Sequence, residues 1–252
     1  MQMVLLTALG VGGATVIGAV IGFLFKNISH KFSDAVLAFA AGIMLAAAML
    51  GLIIPSLEHG GEWGILITSF GIAAGAVCMK LIDMLVPHLH KLSEGGDDIE
   101  PHKRNRSIDK VLLFVLAIAI HNFPEGIAAG VGFGSGNTAE ALVIAGGIAL
   151  QNVPEGMVII APMLATGMKP GKTFMIAALT GVVEVIGTLI GYLAVSVASF
   201  ILPFALSFAG GTMLYVISDE MIPETHSHGA ESAATFSLII GFILMLVFDH
   251  LL

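Results

Sequence analysis

Two near-copies of a six-residue motif place side chains that can bind cations inside long apolar stretches. The sequence reads His-Asn-Phe-Pro-Glu-Gly at 121–126 and Gln-Asn-Val-Pro-Glu-Gly at 151–156. A carboxylate near the middle of a membrane costs roughly 3 kcal/mol even on a lenient insertion scale, so it usually faces a cavity, a pathway or a counter-charge. The two motifs therefore predict a cation between the helices that carry them.

Helical geometry brings the ligating types of each motif to one side. With roughly 100° between successive residues, His121 and Glu125 project about 40° apart, and Asn122 lies on the same side. Glu125 then lies between the other two and could bridge two ions. Glu155 occupies the same position between the amides of Gln151 and Asn152, so we expect two neighbouring sites built from carboxylates, amides and one imidazole.

A proline follows the asparagine by two positions in each motif. Pro124 and Pro154 each remove a helix hydrogen bond and clash with the carbonyl four residues back, so both helices are expected to kink. Freed backbone at membrane depth is tolerated where it lines a cavity. The prolines therefore favour a cavity at the level of the motifs.

A third buried acid strengthens the case for metal. Glu184 is the only Asp, Glu, Lys, Arg or His residue between Lys172 and Asp219. Three carboxylates in a dry cavity repel one another unless some are protonated or a metal ion neutralises them, and divalent metal is the simpler solution. The alternative, that Asn and Glu only hydrogen-bond between helices, explains two opposed motifs and a third acid less well.

The elements that must position these residues are membrane-spanning helices. The 252 residues are 57% hydrophobic and 11% charged, with a mean hydropathy of +0.99, which is typical of an integral membrane protein and excludes a nucleic-acid-binding one. A hydrocarbon core of about 30 Å takes about 20 helical residues. Eight spans fit this length: 3–25, 34–57, 62–86, 109–133, 138–165, 172–199, 201–223 and 232–252.

Positive charges predict the orientation. Lys and Arg residues follow spans 1, 3 and 5, while connectors 58–62, 134–140 and 197–200 carry none. Basic connectors lie in the cytoplasm, so we expect both termini outside and the connectors after spans 1, 3, 5 and 7 inside a plasma membrane. The polar stretch at about 87–109, with His88 and His90, is then a cytoplasmic loop that either collects metal weakly or only sets topology.

A faint second repeat suggests the architecture of one transmembrane domain, residues 1–252. Residues 41–45 resemble 210–214, and Ile-Pro at 54–55 recurs at 222–223, with a slip of one position between the blocks. The segments belong to spans that cross in opposite senses, as an inverted-topology repeat requires. We therefore predict an all-α integral membrane fold in which spans 1–3 and 6–8 are related around spans 4 and 5.

Three further residues allow two interpretations each. Met44 could add a soft ligand or only fill the core. Asp83 could pair with Lys80 at the interface or line an exit. Glu220 belongs either to a release route or to a polar helix end.

The paired motifs, the eight spans and the His-containing loop together resemble the ZIP family of zinc and iron transporters. The resemblance implies a 3+2+3 helix arrangement, elevator-type import of metal into the cytoplasm, and pathway roles for Asp83 and Glu220. It implies one metal ion held by Met44, His121, Glu125, Gln151 and Glu155. It implies a second ion held by Asn122, Glu125, Asn152, Glu155 and Glu184. Gln151 and Asn152 depart from the family pattern, in which His and Asp are frequent.

The donor set suits Zn(II), Cd(II), Fe(II) or Mn(II) as transported substrate better than Cu(I). No resident cofactor is expected; the partners are divalent metal ions and the lipid bilayer, with a homodimer left open. Because ligands bind metal when deprotonated, uptake is expected to fall at low pH. A passive cation channel using the same residues is one alternative. An intramembrane metal-dependent hydrolase is another, but the sequence lacks a His-Glu-X-X-His pattern.

Overall fold

The structure, a computed structural model, describes residues 1–25, 29–85 and 103–251. Within these ranges the regular secondary structure is entirely helical, so the prediction of an all-α protein is confirmed. The long helices in chain order are α1 (Gln2–Leu24), α2 (His30–His59), α3 (Gly64–Leu85), α4 (Lys103–Gly132), α5 (Thr138–Ala165), α6 (Pro170–Val197), α7 (Ser199–Thr225) and α8 (Glu231–Leu251).

The long apolar helices identify an integral membrane protein. Among the described residues, seven helices, all except α4, are long and apolar enough to cross a membrane. Helix α4 begins at Lys103 and not near 109, because the basic stretch before its apolar part contains no proline or glycine to stop a helix. Its crossing, and with it the count of eight, stays a prediction.

Helix pairing has the symmetry that the faint repeat predicts. Helix α2 packs mainly against α8, and α3 packs mainly against α7. Helix α1 packs against α5, and α4 packs against α6. If α1, α2 and α3 are exchanged with α6, α7 and α8, and α4 is exchanged with α5, the α2–α8 pair becomes the α3–α7 pair. The same exchange turns the α1–α5 pair into the α4–α6 pair.

Glycines that allow close contact between helix backbones lie at equivalent positions of the two halves, α1–α3 and α6–α8. A Cβ on Gly12 would collide with the backbone oxygen of Gly181, and a Cβ on Gly181 would collide with that of Gly12. The offset that relates these two glycines also relates Gly18 to Gly187, and these contact the backbones of Val153 and Phe123, one in each motif. Contact between small residues is a usual device for packing membrane helices.

Helices α2 and α7 each contain a wider, π-helical segment. It spans Ala48–Ile53 in α2 and Ile217–Met221 in α7. Each segment lies just before the proline of an Ile-Pro pair, Pro55 or Pro223, whose nitrogen cannot donate the usual helix hydrogen bond. One segment has six residues and the other has five, so the one-position slip of the sequence repeat falls inside them.

Candidate metal-binding site

Helices α4 and α5 carry the two motifs, and both continue as α-helices through the motif prolines. The predicted ligands are buried, and the most exposed of them is His121, with 9% of its surface accessible. The structure therefore places the ionisable and amide side chains of both motifs inside the protein, away from the lipid-facing surface.

The two motif asparagines are anchored in equivalent ways. Asn122 Nδ2 donates a hydrogen bond of 3.3 Å to the backbone oxygen of Thr180 in α6. Asn152 Nδ2 donates one of 3.1 Å to the backbone oxygen of Val11 in α1. Both Oδ1 atoms are buried and lack a hydrogen-bond partner among the described residues. The amide nitrogens are thus fixed, and the oxygens, which are the cation-binding atoms of an amide, remain available.

Glu184 accepts hydrogen bonds on both carboxylate oxygens. Thr15 Oγ1 in α1 donates to Oε2 at 3.3 Å, and the Asn152 amide donates to Oε1. Sequence reasoning missed Thr15. The offset that relates Gly12 to Gly181 also relates Thr15 to Glu184, so the inverted repeat was the signal that could have found it.

Glu125 is the most conspicuous group in the site. It is 1% exposed, and neither of its carboxylate oxygens has a hydrogen-bond partner in the described part of the chain. Gln151 lies beside it with both amide atoms also unpaired in that part, and Glu155 and Glu184 are near enough to interact with it electrostatically. Burying a charge without a partner is costly, so this arrangement favours a bound cation.

His121 contacts a residue that the sequence assigned only to the pathway. Its Nε2 lies 2.8 Å from Oε1 of Glu220, in the π-helical segment of α7. π-Helical turns occur frequently at functional sites. The structure thus brings Glu220 into direct contact with the first motif.

The remaining predicted residues are Met44, Asp83, His88 and His90. Met44 is 1% exposed and packs in an apolar cluster with Ile148 of α5 and Met213 of α7. Asp83 lies near the end of α3, but its side chain is outside the described residues. His88 and His90 also lie outside them. The ligand role of Met44 and the pathway roles of Asp83, His88 and His90 stay predictions.

No three His, Cys, Asp or Glu side chains within 1–25, 29–85 and 103–251 are grouped closely enough to hold a metal ion by themselves. A metal ion at the motifs therefore needs the amide oxygens in addition to the carboxylates, or a movement of α4 relative to α5.

Long apolar helices around a buried set of carboxylates, amides and an imidazole define a multi-pass membrane protein with a buried polar site. Residues 87–249 match the family model described as ZIP Zinc transporter. The chain is 39% identical to zinc transporter GufA of Myxococcus xanthus, over 97% of both chains. It is 37% identical to zinc transporter ZIPB of Bordetella bronchiseptica, over 94% of this chain and 77% of the relative.

The chain is also 29% identical to zinc transporter ZIP11 of Homo sapiens, over 94% of this chain and 93% of the relative. These matches extend over nearly the whole sequence, so the chain belongs to the ZIP family of transporters. The resemblance suggested by the motifs is confirmed. Membership of a transporter family also confirms the prediction that the protein is not an enzyme.

Proposed function

We propose that this protein carries divalent transition-metal ions, zinc above all, across the membrane into the cytoplasm through the motif site. The observation that carries the proposal is Glu125, buried with both carboxylate oxygens unpaired among the described residues, beside two further acids. The relatives are named as zinc transporters, which supports the choice of metal. Cd(II), Fe(II) and Mn(II) suit the same donors.

The proposed site is binuclear. The first ion is held by Met44, His121, Glu125, Gln151 and Glu155, and the second by Asn122, Glu125, Asn152, Glu155 and Glu184. The anchored asparagines support these assignments because their oxygens are already oriented. The second ion binds more weakly than the first, because the Asn152 amide donates a hydrogen bond to Oε1 of Glu184 and an ion at that oxygen has to displace this bond.

Glu220 is proposed to release the first ion. It approaches the same nitrogen, Nε2 of His121, that a metal ion could use. A metal ion that binds Nε2 displaces Glu220, and the return of Glu220 weakens the metal's hold on the imidazole. The ion then leaves towards Asp83 and the loop that carries His88 and His90.

The movement that accompanies transport is proposed to be elevator-like. Helices α1, α4, α5 and α6 pack together and supply all the motif residues, whereas α2 pairs with α8 and α3 pairs with α7. The first group can slide as a unit against the second. Met44 in α2 and Glu220 in α7 would contact the ion in only part of that movement.

The decisive experiment measures uptake of radioactive zinc into liposomes that hold the purified protein. Saturable uptake is expected for the wild type and for Glu231→Ala, an exposed control at the start of α8. Glu125→Ala is expected to abolish uptake, and Glu184→Ala to reduce it less. Equal uptake by all four proteins would show that the site is misassigned. Flux that does not saturate with metal would favour the channel.

A further inference from the structure

A second group of ionisable side chains lies where α2 begins and α7 ends. His30 and Asp34 lie in the first turns of α2, Glu224 lies in the last turn of α7, and His228 follows it. All four line a cavity of about 140 Å³. We call this group the histidine end. None of its residues belongs to the motif site.

Asp34 brings to this cavity a carboxylate with one unpaired oxygen among the described residues. Asp34 is only 4% exposed. Its Oδ1 lies 3.2 Å from Nδ1 of His228, while its Oδ2 is buried and has no hydrogen-bond partner in the described residues. A buried carboxylate oxygen is costly to leave unpaired, and among the described residues the charge-bearing groups that share its cavity are two imidazoles and another carboxylate.

The two imidazoles have ring nitrogens available for a metal ion. The Asp34 contact fixes one side of the His228 ring, and Nε2 on the other side is without a partner in the part of the chain that the structure describes. The His30 ring stacks on that of His228, with ring centroids 4.8 Å apart.

The opposite ends of the same two helices show that packing alone does not require these charges. The inverted repeat pairs Glu224 with Ser56 and Asp34 with Pro203. There, Ser56 Oγ donates a 2.6 Å hydrogen bond to the backbone oxygen of Pro203 and lies 2.7 Å from Oγ1 of Thr68. We call these three residues the serine end. Neutral groups close one end, whereas ionisable groups surround a cavity at the other.

We propose that His30, Asp34, Glu224 and His228 form a separate binding site for a divalent transition-metal ion, outside the motif site. Two imidazoles and two carboxylates form a donor set typical of Zn(II) and its neighbours. The two rings now stack on each other, so no three of these groups converge. Both histidines are exposed, and turning their rings towards Asp34 completes the site. This proposal rests on the proposed function for the choice of ion alone.

The test counts zinc ions bound to the full-length protein by equilibrium dialysis and elemental analysis. Glu125→Gln and Glu155→Gln disable the motif site in the background protein, and His88→Gln and His90→Gln remove the loop histidines. About one ion per chain should remain. Asp34→Asn or His228→Gln should each weaken its binding roughly tenfold or more. The matched control is His250→Gln, an exposed histidine at the end of α8.

A spectroscopic measurement separates ligation from a purely structural role. Cobalt bound to the background protein should show visible bands of an imidazole-bound ion, and these should be lost in His30→Gln, a change of an exposed ring that should preserve the fold. Binding of no ion by the background protein would overturn the proposal. So would a bound ion that is indifferent to all three substitutions, which would make the Asp34–His228 contact a structural tie. The motif site is judged separately, by the effect of Glu125→Ala on uptake.

Discussion

The serine end and the histidine end are equivalent positions of one repeat, yet they differ in chemistry. At the serine end, Ser56 and Thr68 are almost completely buried, and their hydroxyl groups join α2, α3 and α7. Ser56 uses its only hydrogen for the backbone oxygen of Pro203, so Thr68 must donate to Ser56. At the histidine end, a cavity separates the corresponding positions.

The difference indicates how a repeated scaffold can be directional. If α1–α3 and α6–α8 were chemically identical, the two ends could exchange roles with no preference for either. Neutral hydrogen bonds keep one end closed without attracting ions, whereas carboxylates and imidazoles make the other end attractive to cations. The positive-charge pattern predicts that the histidine end faces the cytoplasm, where an importer must release its metal.

The largest expected effect on stability comes from the close contact between Gly12 of α1 and Gly181 of α6, which the inverted repeat relates to each other. Gly12→Val or Gly181→Val should destabilise the protein by about 1–3 kcal/mol, because the new side chain meets backbone and α1 must move away from α6. Thermal unfolding in detergent measures the loss. Gly13→Val is the matched control, since a Cβ on Gly13 meets nothing within 4 Å. Equal stability of all these variants would contradict the close crossing of α1 and α6.

Opening the serine end should have the next largest effect. Ser56→Ala removes both hydrogen bonds and leaves the buried Thr68 hydroxyl without a partner among the described residues, which should cost about 1–2 kcal/mol of stability. The comparison variant is Ser196→Ala, whose exposed hydroxyl bonds only to a carbonyl of its own helix. The same unfolding assay applies. If Ser56→Ala is no less stable than Ser196→Ala, the hydrogen bonds of the serine end do not hold α2, α3 and α7 together.

A smaller effect is expected where the motif site meets α7. Glu220→Gln keeps a side chain of the same size but removes the charge that holds His121. Glu220 competes with zinc for the His121 imidazole, and removing about 1 kcal/mol of its interaction should lower the apparent KM for zinc about fivefold. Turnover should become slower, because release of the ion is hindered. Initial uptake rates over a range of zinc concentrations test this. A raised KM would show that Glu220 contributes to binding and not to release.

The smallest effect concerns Thr15, the α1 residue that donates a hydrogen bond to Glu184. Thr15→Val removes the hydrogen bond to Glu184 and should weaken the second ion by roughly 1 kcal/mol or less, with uptake at saturating zinc unchanged. Calorimetric titration of zinc into the purified protein resolves the weaker step. Loss of the tighter step, with the weaker one intact, would reverse the assignment of Glu184 to the second ion.

The sequence was informative where length and repetition carried the signal. Apolar runs of about 20 residues predicted the helices, and the duplicated motif predicted a buried site on α4 and α5, because few other arrangements explain paired acids in apolar helices. The anchors of the asparagines were beyond reach, since the carbonyls of Val11 and Thr180 belong to the backbone and have no side-chain signature. The contact between Asp34 and His228 joins distant parts of the chain.

The unequal π-helical segments have a consequence for how the two halves diverged. A single extra residue in an ordinary α-helix turns everything beyond it by about 100° and would point Pro55 and the side chains after it in a new direction. A π-turn takes up one more residue within its wider loop, so the inserted residue need not rotate the rest. The segment at 48–53 thus lets one half tolerate an insertion or deletion that the other lacks, while both halves finish on the same face.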